Sequence, residues 1–187
     1  MKSPMIVFAT TLLLAAGGVL AQGAAPPAAA PMPAAGPTDP QIAHIVVTAN
    51  QVDIDAGKLA ESKGGSKEVK DFGKQMVTDH SGVNKQAEAL VTKLKVKPED
   101  NPTSESLKKG GEDNLKSLKG LDGAAFDKAY IDHEVAYHEQ VLGAIDKVLI
   151  PNAKNEELKA LIVKVRPAFV AHLEHAKMIQ SKLGKGA

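Results

Sequence analysis

The chain carries six histidines and no cysteine. Any metal it holds is therefore bound through imidazole nitrogen and carboxylate oxygen, with Met sulfur the only soft donor. The lack of Cys also excludes disulfides, Cys-zinc sites, iron–sulfur clusters and a Cys nucleophile. Five ionisable residues fall inside apolar helical stripes: Asp53, His80, Glu134, His138 and His172. A buried carboxylate or imidazole costs several kcal/mol unless it is paired. Two chemistries answer that cost. One is a divalent metal ion (zinc, copper, nickel or iron) bound by mixed N/O donors. The other is a metal-free His–carboxylate hydrogen-bond network. A di-iron oxidase fits poorly, because it needs four carboxylates and Glu-x-x-His on two helices, whereas Glu134 and His138 are four apart. Met76 near His80 and Met178 near His175 keep copper(I) open.

These residues need helices to position them. Apolar residues at 3–4 spacing predict four: about Gln41 to Ser62, Lys67 to Val96, Gly123 to Leu149 and Asn155 to Leu183. Gly64-Gly65 ends the first and Ser66 caps the second. Residues 97–122 are a long connection, broken at Gly110-Gly111 and Gly120, with a short helix plausible at Glu112 to Leu118. It either runs the length of the bundle, as the crossover of ferritin-like folds does, or forms a large loop. Pro167 should kink the last helix near Val163 or remove a hydrogen bond there.

Projected at about 100° per residue, Asp53 lies on the apolar side of helix 1 while Asp55 points to water. His80 sits near the centre of the stripe on helix 2, and Asp79 on its flank. Glu134 and His138 share the centre of the helix 3 stripe, and His133 falls off it. His172 lies within the helix 4 stripe and His175 at its edge. His44, at the start of helix 1, is expected to be exposed. Counted from the turns at roughly 1.5 Å per residue, the five interior groups agree in depth to about 3–9 Å, so they can share one layer.

Composition narrows the function classes. The 187 residues include 23 Lys+Arg and 22 Asp+Glu, for a net charge of +1. That balance argues against a nucleic-acid-coating protein. The chain is 43% hydrophobic but 3% aromatic, with no Trp, which favours a helical core of Ala, Val, Leu and Ile over a β-sandwich. Neither glycine pair matches a P-loop or a dinucleotide fingerprint, and no Ser-His-Asp arrangement can be argued from spacing.

Met1 to Ala21 reads as a secretory signal: Lys2, an apolar stretch from Met5 to Leu20, then Val19-Leu20-Ala21 at a cleavage site. The apolar stretch is about 16 residues, shorter than the roughly 20 that span a bilayer, so no integral span is expected after cleavage. Gln22 to Pro40 is rich in Ala and Pro and reads as an extended, disordered linker. Residues 41–183 then form one domain.

The strings Asp53-Ile-Asp-Ala-Gly-Lys-Leu-Ala60 and Val69-Lys-Asp-Phe-Gly-Lys-Gln-Met-Val-Thr-Asp-His80 resemble the first half of the family called domain of unknown function 4142. Phe126-Asp-Lys-Ala-Tyr130, with His138 and the Pro167 to Leu173 stretch, resembles its second half. The resemblance spans about residues 41–183. It implies an exported bacterial protein with a ferritin-like four-helix fold and no single defined activity. It also points to His80, His138 and His172 and to an acidic residue on helix 1. Here that residue is Asp53 or Asp55, where the family more often has Glu.

The combined expectation is an all-α, ferritin-like four-helix bundle, exported to the periplasm or cell envelope. It binds a divalent metal in a storage, buffering or envelope-stress role. The alternative is a metal-free envelope interaction module, with a structural His/carboxylate layer and a protein partner. An oxidase or peroxidase is the least supported class, and the residues name no reaction.

Overall fold

The computed structural model describes residues 36–185. The signal segment Met1–Ala21 and most of the linker Gln22–Pro40 lie outside them. The described chain is an all-α bundle of five helices: α1 (Asp39–Lys63), α2 (Lys67–Leu94), α3 (Pro102–Lys119), α4 (Gly123–Ala144) and α5 (Glu156–Leu183). None is long and apolar enough to cross a membrane.

The first boundary falls two residues earlier than the spacing suggests. Thr38 N–H donates to Gln41 Oε1 at 3.1 Å, and Pro40 sits in the first turn, where its missing N–H costs nothing. Asp39 and Pro40 thus belong to α1, not to the linker.

α1 and α2 form an antiparallel hairpin. Ser66 Oγ accepts from Val69 N–H at 3.3 Å and caps α2. The carboxylate of Asp127 on α4 accepts from the backbone N–H groups of Gly65 and Ser66 at 2.7 and 2.8 Å, fixing the turn to the head of α4. The two helices also approach to backbone contact. A Cβ on Gly57 would lie 2.7 Å from the Gly73 carbonyl oxygen, and one on Gly73 would lie 2.7 Å from that of Gly57. This contact sets the register of α1 against α2, and with it the level of Asp53 opposite His80.

The expected four-helix count is corrected by α3. Residues 102–119 form an 18-residue helix in place of a loop with one short helical piece. Pro102 opens it, and Asn101 Oδ1 caps it by accepting from Ser104 N–H at 3.0 Å. Gly110-Gly111 does not break it, because Gly111 is where α3 packs on α1: a Cβ there would lie 2.8 Å from a Val52 methyl. The start of α3 is tied to the start of α1 by Asn101 Nδ2 donating to Gln41 O at 3.2 Å. Its end is tied to the end of α1 by Lys63 Nζ donating to Lys119 O at 2.9 Å. So α3 runs the length of α1 in the same direction.

α4 continues into a π-helical segment, Ile145–Leu149, and one further α turn, Ile150–Asn152. Ile150 N–H donates to Ile145 O, five residues back. Pro151 lacks the N–H that α geometry would offer to Lys147 O, so the wider ladder is accommodated here. The Asp39 carboxylate accepts from Lys154 and Asn155 N–H at 2.8 and 2.9 Å, anchoring the α4–α5 turn to the start of α1. α5 is continuous through Pro167. The carbonyl deprived of its donor belongs to Val163, whose side chain is half exposed at 50%.

The apolar core is split in two. One cluster includes Ile42, Val52, Val83, Val141 and Phe169. The other includes Ala56, Phe72, Met76, Phe126 and Ile179. On α1, α2, α4 and α5 the change from one cluster to the other comes at a buried polar residue: Asp53, His80, Glu134 with His138, and His172.

Candidate metal centre

All five interior residues are at most 2% exposed. They come from four different helices and form one layer. Asp55, the alternative acidic position, faces outward, where it accepts from Gln51 at 2.9 Å.

The three imidazoles surround a common point. Their ring centroids are 5.7 Å apart for His80–His138, 5.1 Å for His80–His172 and 5.6 Å for His138–His172. One ring nitrogen from each lies within 4.8 Å of the other two.

Hydrogen bonds fix the tautomers. Asn50 Nδ2 donates to Val46 O at 2.7 Å, so Asn50 Oδ1 is the acceptor facing His80 Nδ1 at 2.7 Å. His80 therefore carries its proton on Nδ1. His138 Nδ1 donates to the Glu134 carbonyl at 3.0 Å. His172 Nε2 donates to Asp79 Oδ2 at 2.9 Å. Each ring spends one nitrogen on an orienting acceptor. The nitrogens left with a lone pair, His80 Nε2, His138 Nε2 and His172 Nδ1, are buried without a partner. This is how proteins orient metal-binding histidines.

The carboxyls lie beside the rings. Asp53, Glu134 and His138 each offer an atom to a second cluster within 4.8 Å. All four oxygens of Asp53 and Glu134 are buried and unpartnered, as is the Tyr130 hydroxyl. Asp53 Oδ2 lies 3.5 Å from His80 Nδ1, and Glu134 Oε2 lies 3.5 Å from His138 Nδ1.

Burial governs the charges. It pushes Glu134 up to about 8. It holds Asp53 well above the ordinary carboxylate range, with the nearby Glu134 adding to the effect. The same desolvation, with repulsion from His172, lowers His138 to about 4. It also holds His80 well below the ordinary imidazole range, and lowers His172 despite the Asp79 carboxylate beside it. Burial thus favours the protonated form of both carboxyls and the neutral form of the three rings.

A surface pocket of about 340 Å³ between α2 and α5 reaches this layer, with Asp79, His80 and His172 on its wall. Lys164 Nζ donates to Gln86 Oε1 at 2.9 Å on the same wall.

A family model described as a domain of unknown function (DUF4142) matches residues 23–179. The chain belongs to the DUF4142 family. No curated protein and no solved structure matches it. The family description carries no chemistry.

The other histidines stand apart from the layer. His175 Nδ1 faces Gln75 Oε1 at 3.2 Å. His133 stacks on Tyr137, with centroids 5.6 Å apart. His44 is half-buried rather than exposed, because α3 covers it. Its Nδ1 lies 3.0 Å from Ser104 Oγ and 3.3 Å from Asp100 Oδ1. Both contacts use one nitrogen, and Ser104 Oγ already donates to Asn101 O at 2.9 Å. The thioethers do not join either. Met178 is 58% exposed, and Met76 is packed in the cluster with Phe72 and Phe126.

Asn50 was not legible as part of the site. Its one signal is an amide inside an apolar stripe, one turn before Asp53. Asp79 was legible only as a flank residue. Its link to His172 joins two helices whose rotation no single-helix projection supplies.

Proposed function

We propose that this DUF4142 domain binds a divalent transition-metal ion within the buried layer, in a storage, buffering or envelope-stress role. The supporting observation is the set of three buried imidazole lone pairs, each on a ring oriented by its other nitrogen. Asp53 and Glu134 supply adjacent oxygen donors. Such a mixed N/O set suits zinc, copper(II), nickel or iron(II). Holding an ion relieves the cost of leaving these nitrogens and oxygens buried without partners.

The topology supports a ferritin-like assignment within the same proposal. α1, α2, α4 and α5 surround the layer, and one long crossover, α3, runs along the bundle. Export is also part of the proposal, carried by Lys2, the apolar Met5–Leu20 stretch and the Val19-Leu20-Ala21 site. It is checked by N-terminal sequencing of protein recovered from the envelope, which should begin at Gln22.

Metal content by mass spectrometry tests the central reading. The protein is exported to a native periplasm and purified without chelator, beside His80→Ala and His172→Ala. Near-stoichiometric metal in the wild type, lost in both variants, supports it. No bound metal, with a thermal midpoint unmoved by zinc, copper, nickel or iron, overturns it.

A second reading is favoured by the burial of the layer, which disfavours charge on its carboxyls and rings. Protonated carboxyls and neutral rings can serve as a structural layer that sets helix register, while an outer face engages an envelope partner. That reading gains if the His variants lose stability and the wild type shows no metal affinity.

A further inference from the structure

On the far side of Phe169 from the α2–α5 pocket lies a second and larger cavity. Its volume is about 490 Å³, within the range of small-molecule sites. Its floor is built from α1, α4 and α5, by residues including Ile45, Val141, Ile145, Ile162 and Phe169, and α3 forms its roof. The π-helical segment contributes Ile145 and Leu149 to the wall. The cavity is thus bounded by α3 and by the irregular end of α4.

None of its lining residues is Asp, Glu, Lys or Arg, in a chain of which 24% is charged. A charged ligand would lose its hydration there with no counter-ion to replace it. Of its polar lining residues, Thr103, Ser106 and Gln140 are exposed, and His133 is half-buried with Nδ1 unpartnered. At the deep end sit Asn50 and Tyr137, which are 1% and 7% exposed. The Tyr137 hydroxyl is committed to Ala49 O at 3.1 Å. Asn50 is committed through Oδ1 to His80 and through one Nδ2 hydrogen to Val46 O. An amide nitrogen carries two hydrogens, so Asn50 has one more to donate, and it lines the cavity.

We propose that this cavity binds an uncharged, largely apolar small molecule carrying one acceptor oxygen, such as an alcohol or ketone, with that oxygen turned toward Asn50. This site is distinct from the metal layer and does not depend on it. Asn50 belongs to both, since the amide that would meet the ligand also orients His80. Phe169 is the partition, its ring centroid 5.0 Å from that of His80.

The test uses the full chain after treatment with EDTA, so that it is independent of any bound metal. The probe is N-phenyl-1-naphthylamine, an uncharged fluorophore. The absence of Trp leaves the background low. The expected result is saturable binding at one site, displaced by 1-octanol, with octanoate at pH 8 at least about tenfold weaker. Ala144→Phe places a ring at a half-buried lining position and should abolish binding. Should that variant fold poorly by circular dichroism, Gly110→Leu serves in its place. A Cβ at Gly110 meets nothing within 4 Å, and the residue lines the roof. Non-saturable probe uptake, equal displacement by octanol and octanoate, or undiminished binding in a folded plug variant would overturn the proposal.

Discussion

Asn50 Oδ1 accepts the Nδ1 proton of His80 at 2.7 Å, and the Asn50 amide is itself held by Val46 O at 2.7 Å. The pair fixes which His80 nitrogen keeps a lone pair and where it points. Removing such an orienting partner typically costs about 10–100-fold in metal affinity. Asn50→Ala should therefore weaken zinc binding by that factor in a competitive chelator titration. Affinity unchanged in a folded Asn50→Ala protein would remove His80 from the ligand set.

Asp79 plays the corresponding part for His172, through a 2.9 Å contact. Here the acceptor is a carboxylate at the pocket surface, its side chain 41% exposed, so in the proposed metal site it would raise the basicity of His172 and present a negative charge at the pocket mouth. Asp79→Asn keeps the shape and loses the charge. The expected outcome is slower zinc uptake in stopped-flow mixing and affinity reduced about tenfold or more. An unchanged rate and affinity would assign Asp79 a purely structural role.

Gly57 and Gly73 bring α1 and α2 to backbone contact, with 2.7 Å between each added Cβ and the opposing carbonyl oxygen. That oxygen is main chain and cannot swing aside. Gly73→Ala should cost about 1–3 kcal/mol by overpacking, in spite of the better helix propensity of Ala. Urea denaturation checks this. Stability equal to or above wild type would show that the hairpin can separate without loss.

Helical periodicity made much of this arrangement readable. Asp53 could be separated from Asp55 because the two project about 200° apart on a helix, and the structure buries one and leaves the other in contact with Gln51 and Lys58. The level of the layer could be read because Gly64-Gly65 and Pro151 mark turns. α3 was not readable as a full helix because Gly110-Gly111 carries two meanings. A glycine pair in isolation signals a break, whereas Gly111 here answers a steric demand from Val52 on another helix. The same limit hid Asn50, whose role exists only once α2 supplies His80.

The titration of the layer gives a pH signature that separates metal-free from metal-bound protein. Glu134, ordinarily near 4.5, is raised to about 8 in the fold, and Asp53 is raised as well. A carboxyl held protonated in the folded state stabilises fully below its unfolded value and loses that contribution as pH rises toward the folded one. His138 works in the opposite sense. Lowered from 6.5 to about 4, it contributes above pH 6.5 and loses its contribution as pH falls through the folded value, and His80 and His172 are lowered too. Between about pH 6.5 and 8 only the carboxyls act, so metal-free protein should lose stability as pH rises, by at most about 1.4 kcal/mol per pH unit for each carboxyl. Below pH 6.5 the lowered histidines, His133 among them, oppose the carboxyls and flatten or reverse that slope. With zinc the slope between pH 6.5 and 8 should reverse, because binding requires the carboxylates deprotonated and so strengthens with pH. Glu134→Gln mimics the protonated side chain. It should keep the fold, flatten part of the metal-free decline and weaken zinc binding by about tenfold or more. Thermal melts of EDTA-treated and zinc-loaded protein across pH 5–9 read all of this. A metal-free midpoint that is flat or rising from pH 6.5 to 8 would show that the carboxyls are ionised in the empty fold and that another group compensates them.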